Sequence, residues 1–214
     1  MQDNESRVTE AGNPAMPEGA CGAQMLDRMN RSHEDVTNWA LDLLVFDAGY
    51  DCLDIGCGGG ATLRRISRRM GEGCGHVTGV DYSPVSVERS RKFNAADVAA
   101  GRMSVIEASV DDLPFADSSF DVVTTVESFY FWPNPECDLA EVWRVLRPGG
   151  RFLLVADIYD KPDLPADASE NIEKYQLTVL TPEGYMRLFE RVGFSSCEVH
   201  LRDGTSWIAV EGMR

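Results

Sequence analysis

Residues Leu53–Ala61 read LDIGCGGGA, and a second acid, Asp81, closes the apolar run VTGVD about twenty residues further on. Glycine supplies positive φ or close backbone approach at low steric cost, so a strand running into such a turn can bring a ligand against main chain. A helix that follows offers its free N–H groups to the same ligand. Gly56, Gly58 and Ala61 satisfy the loose pattern G-x-G-x-x-A, and an acid placed like Asp81 can accept both hydroxyls of an adenosine ribose. The chemistry in question is the binding of a nucleoside-bearing cofactor.

Asp54, inside the same stretch, discriminates between cofactors. A dinucleotide sets its pyrophosphate against this turn. At ~4 Å, two like unit charges cost on the order of 4 kcal/mol at an effective dielectric of about 20. S-adenosylmethionine carries a sulfonium and an ammonium and no phosphate, so a carboxylate beside the turn attracts it. Asp81 serves either kind of cofactor and does not discriminate.

Ligands of such sheets sit outside the carboxyl ends of the strands. The residues expected there are Glu127, Ser128, Phe129, Tyr130, Phe131 and Trp132 after one strand, and Asp157 and Tyr159 after the next. The run ESFYFWPN reads either as a pocket wall, with cation–π attraction available, or as a helix-to-sheet packing cluster. Among three histidines, His33 is the candidate general base, because imidazole titrates near neutrality. A surface or capping role is the alternative. Arg64, Arg65, Arg68 and Arg69 read as a solvated helix face. Cys57 reads as a packing residue in the turn, and Asp111 and Asp112 as turn residues, with no metal site expected.

The elements that must position these residues follow from apolar spacing. Val36, Trp39, Ala40, Leu43 and Leu44 predict a helix from Asn30 to about Phe46, with Ser32 as N-cap. Strands are expected at Asp51–Ile55, His76–Asp81, Met103–Glu107, Phe120–Val126 and Arg151–Ala156. Helices are expected at Gly59–Met70, from Ser83-Pro84 onward, at Asp138–Leu146 and from Thr181 to near Gly193. This alternation implies an α/β fold built on a parallel sheet with right-handed crossovers. Two last strands, about Ser196–Leu201 and Ser206–Val210, can pair only antiparallel across Asp203-Gly204. Between Asp157 and Leu180 a loop with a short helix is expected over the carboxyl edge.

The stretches LDIGCGGG, VTGVDYS, DLPFADSSFDVV and LAEVWRVLRPGGRFLL, followed by GFSSCEVH and SWIAVEGM, come in an order and spacing that resembles the class I S-adenosylmethionine-dependent methyltransferases. The resemblance covers most of residues 51–214. It implies a Rossmann-like, doubly wound seven-stranded sheet of order 3-2-1-4-5-7-6 with strand 7 antiparallel. It places Asp54, Gly56, Cys57, Gly58 and Gly60 along the methionine portion of the cofactor, Asp81 on the ribose and Tyr82 beside the adenine. Ser109 and Val110 fall where the family often has an acid on the adenine amino group and an apolar residue on the ring; Ser109 departs from that pattern. Glu127 falls in the cofactor set, and His33 and Tyr130 in the catalytic one. The block around His33 is similar to the N-terminal cap helices of small-molecule members.

The whole chain bounds the rest. Its 214 residues with a 43% hydrophobic fraction suit one domain. A single domain is expected over 21–214, with cap helices at about 21–47, a lid segment at about 157–180 and a disordered tail over 1–20. A net charge of −15 disfavours nucleic acid or an anionic membrane surface as partner, since both must meet Lys and Arg. Six scattered cysteines without C-x-x-C spacing read as free thiols of a cytoplasmic protein. The expected activity is methyl transfer to a small molecule, giving S-adenosylhomocysteine, by a monomer or homodimer. The alternatives are a non-catalytic cofactor-binding module and an NAD-binding oxidoreductase.

Overall fold

The computed structural model describes residues 11–214. Its strands are β1 (Asp51–Ile55), β2 (His76–Asp81), β3 (Met103–Glu107), β4 (Phe120–Val126), β5 (Leu146–Ala156), β6 (Ser196–Leu201) and β7 (Ile208–Met213). They form a seven-stranded sheet of order β3-β2-β1-β4-β5-β7-β6, as the resemblance implied. The chain divides into two compact units, the first running to Ser109 and the second from Val110 to Arg214.

In the first unit β1, β2 and β3 pair in parallel, with Asp51 beside His76 and Val77 beside Met103. Helix α1 (Gly19–Ser32) leads into α2 (Glu34–Leu41), followed after β1 by α3 (Ala61–Met70) and after β2 by α4 (Pro84–Phe93) and the short α5 (Ala95–Ala99). The apolar stripe Leu63, Ile66 and Met70 of α3 is buried as its spacing predicts. Ser83 caps α4 by accepting the Ser86 N–H at 3.2 Å, and Pro84 opens the helix where a missing N–H is harmless.

The N-terminal helix departs from expectation. There is no continuous helix from Asn30 to Phe46. Ser32 ends α1 with its hydroxyl turned back to the Met29 carbonyl, so it does not cap forward. His33, at φ −94° and ψ 11°, leaves helical geometry and joins the two helices. Apolar spacing alone does not announce helix α1, since only Gly22, Met25 and Leu26 are buried on it; most of it falls within the cap segment expected at about 21–47. Of the expected tail, residues 1–10 lie outside the described residues. Residues after them are held: the Pro17 carbonyl accepts the Ser83 hydroxyl at 2.6 Å, and the Glu18 N–H reaches the Gly12 carbonyl.

In the second unit β5 pairs parallel with β4 and antiparallel with β7, and β7 pairs antiparallel with β6. Its helices are α6 (Pro135–Val145), α7 (Ala166–Tyr175) and α8 (Pro182–Val192). Strand β5 starts at Leu146, five residues before the expected Arg151. Leu146 pairs with Phe120, and the register then shifts so that Arg151 meets Val122. Pro148-Gly149-Gly150 is thus an irregularity inside a strand, with Gly149 at φ +81°. Pro135 starts α6 three residues earlier than expected, and β7 runs later than expected. Phe152, Phe189 and Phe194 pack on one another, Phe152 and Phe189 stacked at 5.6 Å, and Leu139, Val142 and Val210 are buried in the same unit. Each buried aromatic contributes roughly 1.5–3 kcal/mol. Gly212 is required there, because a Cβ would lie 2.6 Å from the Phe189 ring.

Candidate functional site

The turn after β1 is tied down by main chain. Gly56 N–H and Cys57 N–H both donate to the Val80 carbonyl of β2, at 2.9 and 3.0 Å. Gly56, Gly58 and Gly60 all have φ between +50° and +82°, a region where other residues are strained. Gly60 has a second reason to be glycine: a Cβ would lie 2.5 Å from Asn94 Nδ2. That amide instead donates to the Gly60 carbonyl at 2.9 Å, and Asn30 of α1 donates to the Gly59 carbonyl at 3.1 Å. The loop therefore has its shape before any ligand arrives.

Two buried carboxylates bear on it. Asp54 is 1% exposed and Asp81 is 7% exposed. Asp81 Oδ2 accepts the Gly58 N–H and Oδ1 the Ser83 N–H, each at 2.9 Å. Burial pushes the Asp81 carboxyl above its ordinary value, against the pull of these two bonds. Each oxygen of a carboxylate can accept more than one bond, so a diol can still be taken. Cys57 reports the field: its thiol is pushed well up, by burial first, then by the charges of Asp81 and Asp54. Cys57 stays a thiol, buried with Sγ 3.9 Å from the Ser90 hydroxyl, which suits packing and not nucleophilic attack.

Tyr82 is partly exposed and its hydroxyl donates to the Ala15 carbonyl. With the Ser83–Pro17 bond, this draws the chain before α1 across the end of β2. Ser109 is half-buried, and Val110, the first residue of the second unit, is buried. His33 sits at the α1–α2 joint, its carbonyl accepting the Thr37 hydroxyl at 2.6 Å. The arginines of α3 correct the solvated-face reading. Arg65 pairs with Glu34 at 3.3 Å and reaches the Asn30 carbonyl; Arg69 pairs with Asp42 at 2.6 Å; Arg64 lies 3.6 Å over the Phe93 ring. Arg65 and Arg69 fasten α1 and α2 to α3, and Arg64 ties α3 to α4. The acids Glu34 and Asp42 were the signal for it in the sequence.

In the second unit the ends of β4 and β5 carry Glu127, Tyr130 and Asp157. Glu127 has φ +56°, an unusual conformation for this residue type of the sort that gathers at functional sites. Its N–H bonds the Val155 carbonyl at 3.0 Å, and Tyr130 donates its phenol proton to Glu127 Oε2. The Glu127 carboxyl is pushed well up, by burial first and then by the charge of Asp157, while the Tyr130 bond pulls it down. Tyr130 is itself pushed well up by burial, Glu127 and Asp157. Burial thus favours the protonated form of both groups, and the Tyr130 hydroxyl donates to Glu127. Asp157 was named in the sequence only as a strand-end residue.

The aromatic run divides between its two readings. Phe129 and Trp132 are buried and pack on each other, on Tyr185 and on Phe152. Phe131 is half-buried and edge-on to Tyr130. The segment after α7 is pinned here, since Thr178 N–H donates to the Tyr130 carbonyl at 3.0 Å. His76 meets the Ser104 hydroxyl at 2.9 Å, and Asp111 and Asp112 are exposed.

Residues 53–154 match the family model described as a methyltransferase domain. A sterol 24-C-methyltransferase of Gibberella zeae is 34% identical over 54% of this chain and 31% of its own length. The methyltransferase GfsG of Streptomyces halstedii is 31% identical over 81% of this chain and 63% of its own. The chain thus spans less than two thirds of either relative. A crystal structure of an S-adenosylmethionine-dependent methyltransferase from Aquifex aeolicus has the same fold, with a TM-score of 0.70, 17% identity, and 89% and 97% of the two chains covered. Residues 53–154 thus carry a methyltransferase domain, and the glycine turn and the strand order are those that the resemblance to the class I S-adenosylmethionine-dependent methyltransferases implied.

Proposed function

We propose that this chain transfers a methyl group from S-adenosylmethionine to a small-molecule acceptor and releases S-adenosylhomocysteine. The observation that carries the reading is the pair of buried carboxylates, Asp54 and Asp81, beside a preformed glycine turn whose Gly58 N–H donates to Asp81. Such a turn attracts a sulfonium and an ammonium and repels a diphosphate. When bound, S-adenosylmethionine supplies an electrophilic methyl carbon on its sulfonium.

The chain's own residues do the remainder. Asp54, Gly56, Cys57, Gly58 and Gly60 line the methionine portion, Asp81 holds the ribose diol, and Tyr82, Ser109 and Val110 border the adenine. Alignment of acceptor, methyl and sulfur can remove roughly 7–11 kcal/mol of barrier without any acid or base. Glu127 belongs to the cofactor set, and where the acceptor must lose a proton His33 is the candidate base, with Tyr130 beside it in the catalytic set. The relatives' names support a small-molecule acceptor, a sterol in one case. The charge of −15 supports an acceptor other than nucleic acid.

A non-catalytic module would bind the donor equally well, and turnover separates the two readings. Incubation with methyl-labelled S-adenosylmethionine and a panel of hydroxyl, amine and sterol acceptors should give a labelled product and S-adenosylhomocysteine. Tight donor binding with no transfer to any acceptor supports the module.

A further inference from the structure

Glu198, His200 and Glu211 converge on one face of the β6–β7 pair, and we propose that they hold a divalent transition-metal ion. Glu198 and His200 lie two residues apart on β6 and so face the same side. Glu211 of β7 is the direct register partner of Glu198. The ligand atoms of the three residues all lie within 4.8 Å of one another.

Two facts leave the group short of a cation. Two like charges directly opposite on neighbouring strands destabilise the pair. Among the described residues Arg151 answers one of them, pairing with Glu211 Oε1. Glu211 Oε2 is left facing His200 Nε2 at 3.8 Å, beyond hydrogen-bond length. His200 Nε2 is shielded from solvent and has no hydrogen-bond partner among the described residues, so a buried polar atom is unsatisfied there. A metal ion between the three accepts that nitrogen's lone pair and neutralises the second carboxylate in one step.

The donor set fits the ion class. One imidazole and two carboxylates suit Zn2+, Co2+, Ni2+ or Mn2+ and not a soft monovalent ion. Zinc–ligand distances of about 2.0–2.2 Å put tetrahedral ligands about 3.3–3.6 Å apart, so His200 and Glu211, at 3.8 Å, are already near that spacing and no pair of the three has more than about 1.5 Å to close. Glu198 is exposed, which gives the ion an entry path and leaves a coordination position for water. The ion would clip together the outer strand pair of the second unit. This is separate from the proposed methyl-transfer chemistry and does not depend on it.

The test is titration of the full chain with cobalt(II) chloride, followed by visible absorption and calorimetry, with melting temperature recorded in zinc chloride. One Co2+ per chain is expected, with d–d bands and no thiolate charge-transfer absorption, together with a rise in melting temperature. Glu198→Gln and His200→Gln should each weaken binding by about tenfold or more and lose the zinc-induced rise while keeping the wild-type circular dichroism spectrum. Three results would overturn the assignment: no saturable binding, binding unchanged in both folded variants, or thiolate absorption that puts the ion on cysteine.

Discussion

Asp81 joins two jobs in one side chain. It holds the Gly58 and Ser83 N–H groups, and it is the proposed ribose acceptor. Asp81→Ala should therefore weaken S-adenosylmethionine binding by more than about tenfold, since charge-assisted bonds are lost to both the loop and the diol. Calorimetry on the folded variant measures this, and wild-type affinity would remove Asp81 from the site. Glu127 makes a pH prediction. Its folded carboxyl sits well above the ordinary value of 4.5, so the native state binds more protons than the unfolded one there. Its contribution to stability is complete below that ordinary value and is lost as pH rises through the raised folded value. Glu127→Gln should flatten this fall in melting temperature on going from acid to neutral pH. Parallel melting curves for the two proteins would sink the assignment. The identities of these acids were legible in the sequence. Their partners were not: the pairing of Tyr130 with Glu127 depends on a one-turn 3-10 helix, Phe129–Phe131, that no periodicity announces.

Among the elements, those with a strong local signal were read correctly. The strands β1 to β4 and β6 have the expected bounds, because short apolar runs between turn residues have few other ways to be buried. Helix α4 starts at Ser83-Pro84 for the same local reason. The misses are tertiary. Helix α1 is fixed by the Asn30–Gly59 bond, and its neighbour α2 by Glu34 and Asp42 on the α3 arginines, partners distant in sequence. The early start of β5 is fixed by pairing with β4, across a Pro-Gly-Gly run that reads locally as a stop. Packing of α8 on β7 gives a test at this scale. Gly212→Ala pushes a methyl into the Phe189 ring and should cost about 1–3 kcal/mol, read as a lower urea midpoint. An unchanged midpoint would mean that the two elements are not in close contact.

At the scale of the whole molecule, charge restricts partners more than fold does. The chain carries 35 acids against 20 Lys and Arg, so polyanions are repelled and a cationic donor is drawn in. A 20-base-pair duplex should show no mobility shift with the protein at physiological salt, and a saturable shift would contradict the small-molecule reading. No described helix is long and apolar enough to cross a membrane. The sheet order was legible from the sequence through the family resemblance.

The central claim is that the acids at the glycine turn select a sulfonium donor over a diphosphate cofactor. The most direct measurement is calorimetric titration of S-adenosylmethionine and of NAD into the wild type and into Asp54→Asn at one ionic strength. The account predicts saturable binding of S-adenosylmethionine and none of NAD in the wild type, with S-adenosylmethionine affinity falling in the variant. NAD binding the wild type as tightly as S-adenosylmethionine, or S-adenosylmethionine indifferent to the loss of Asp54, would contradict it.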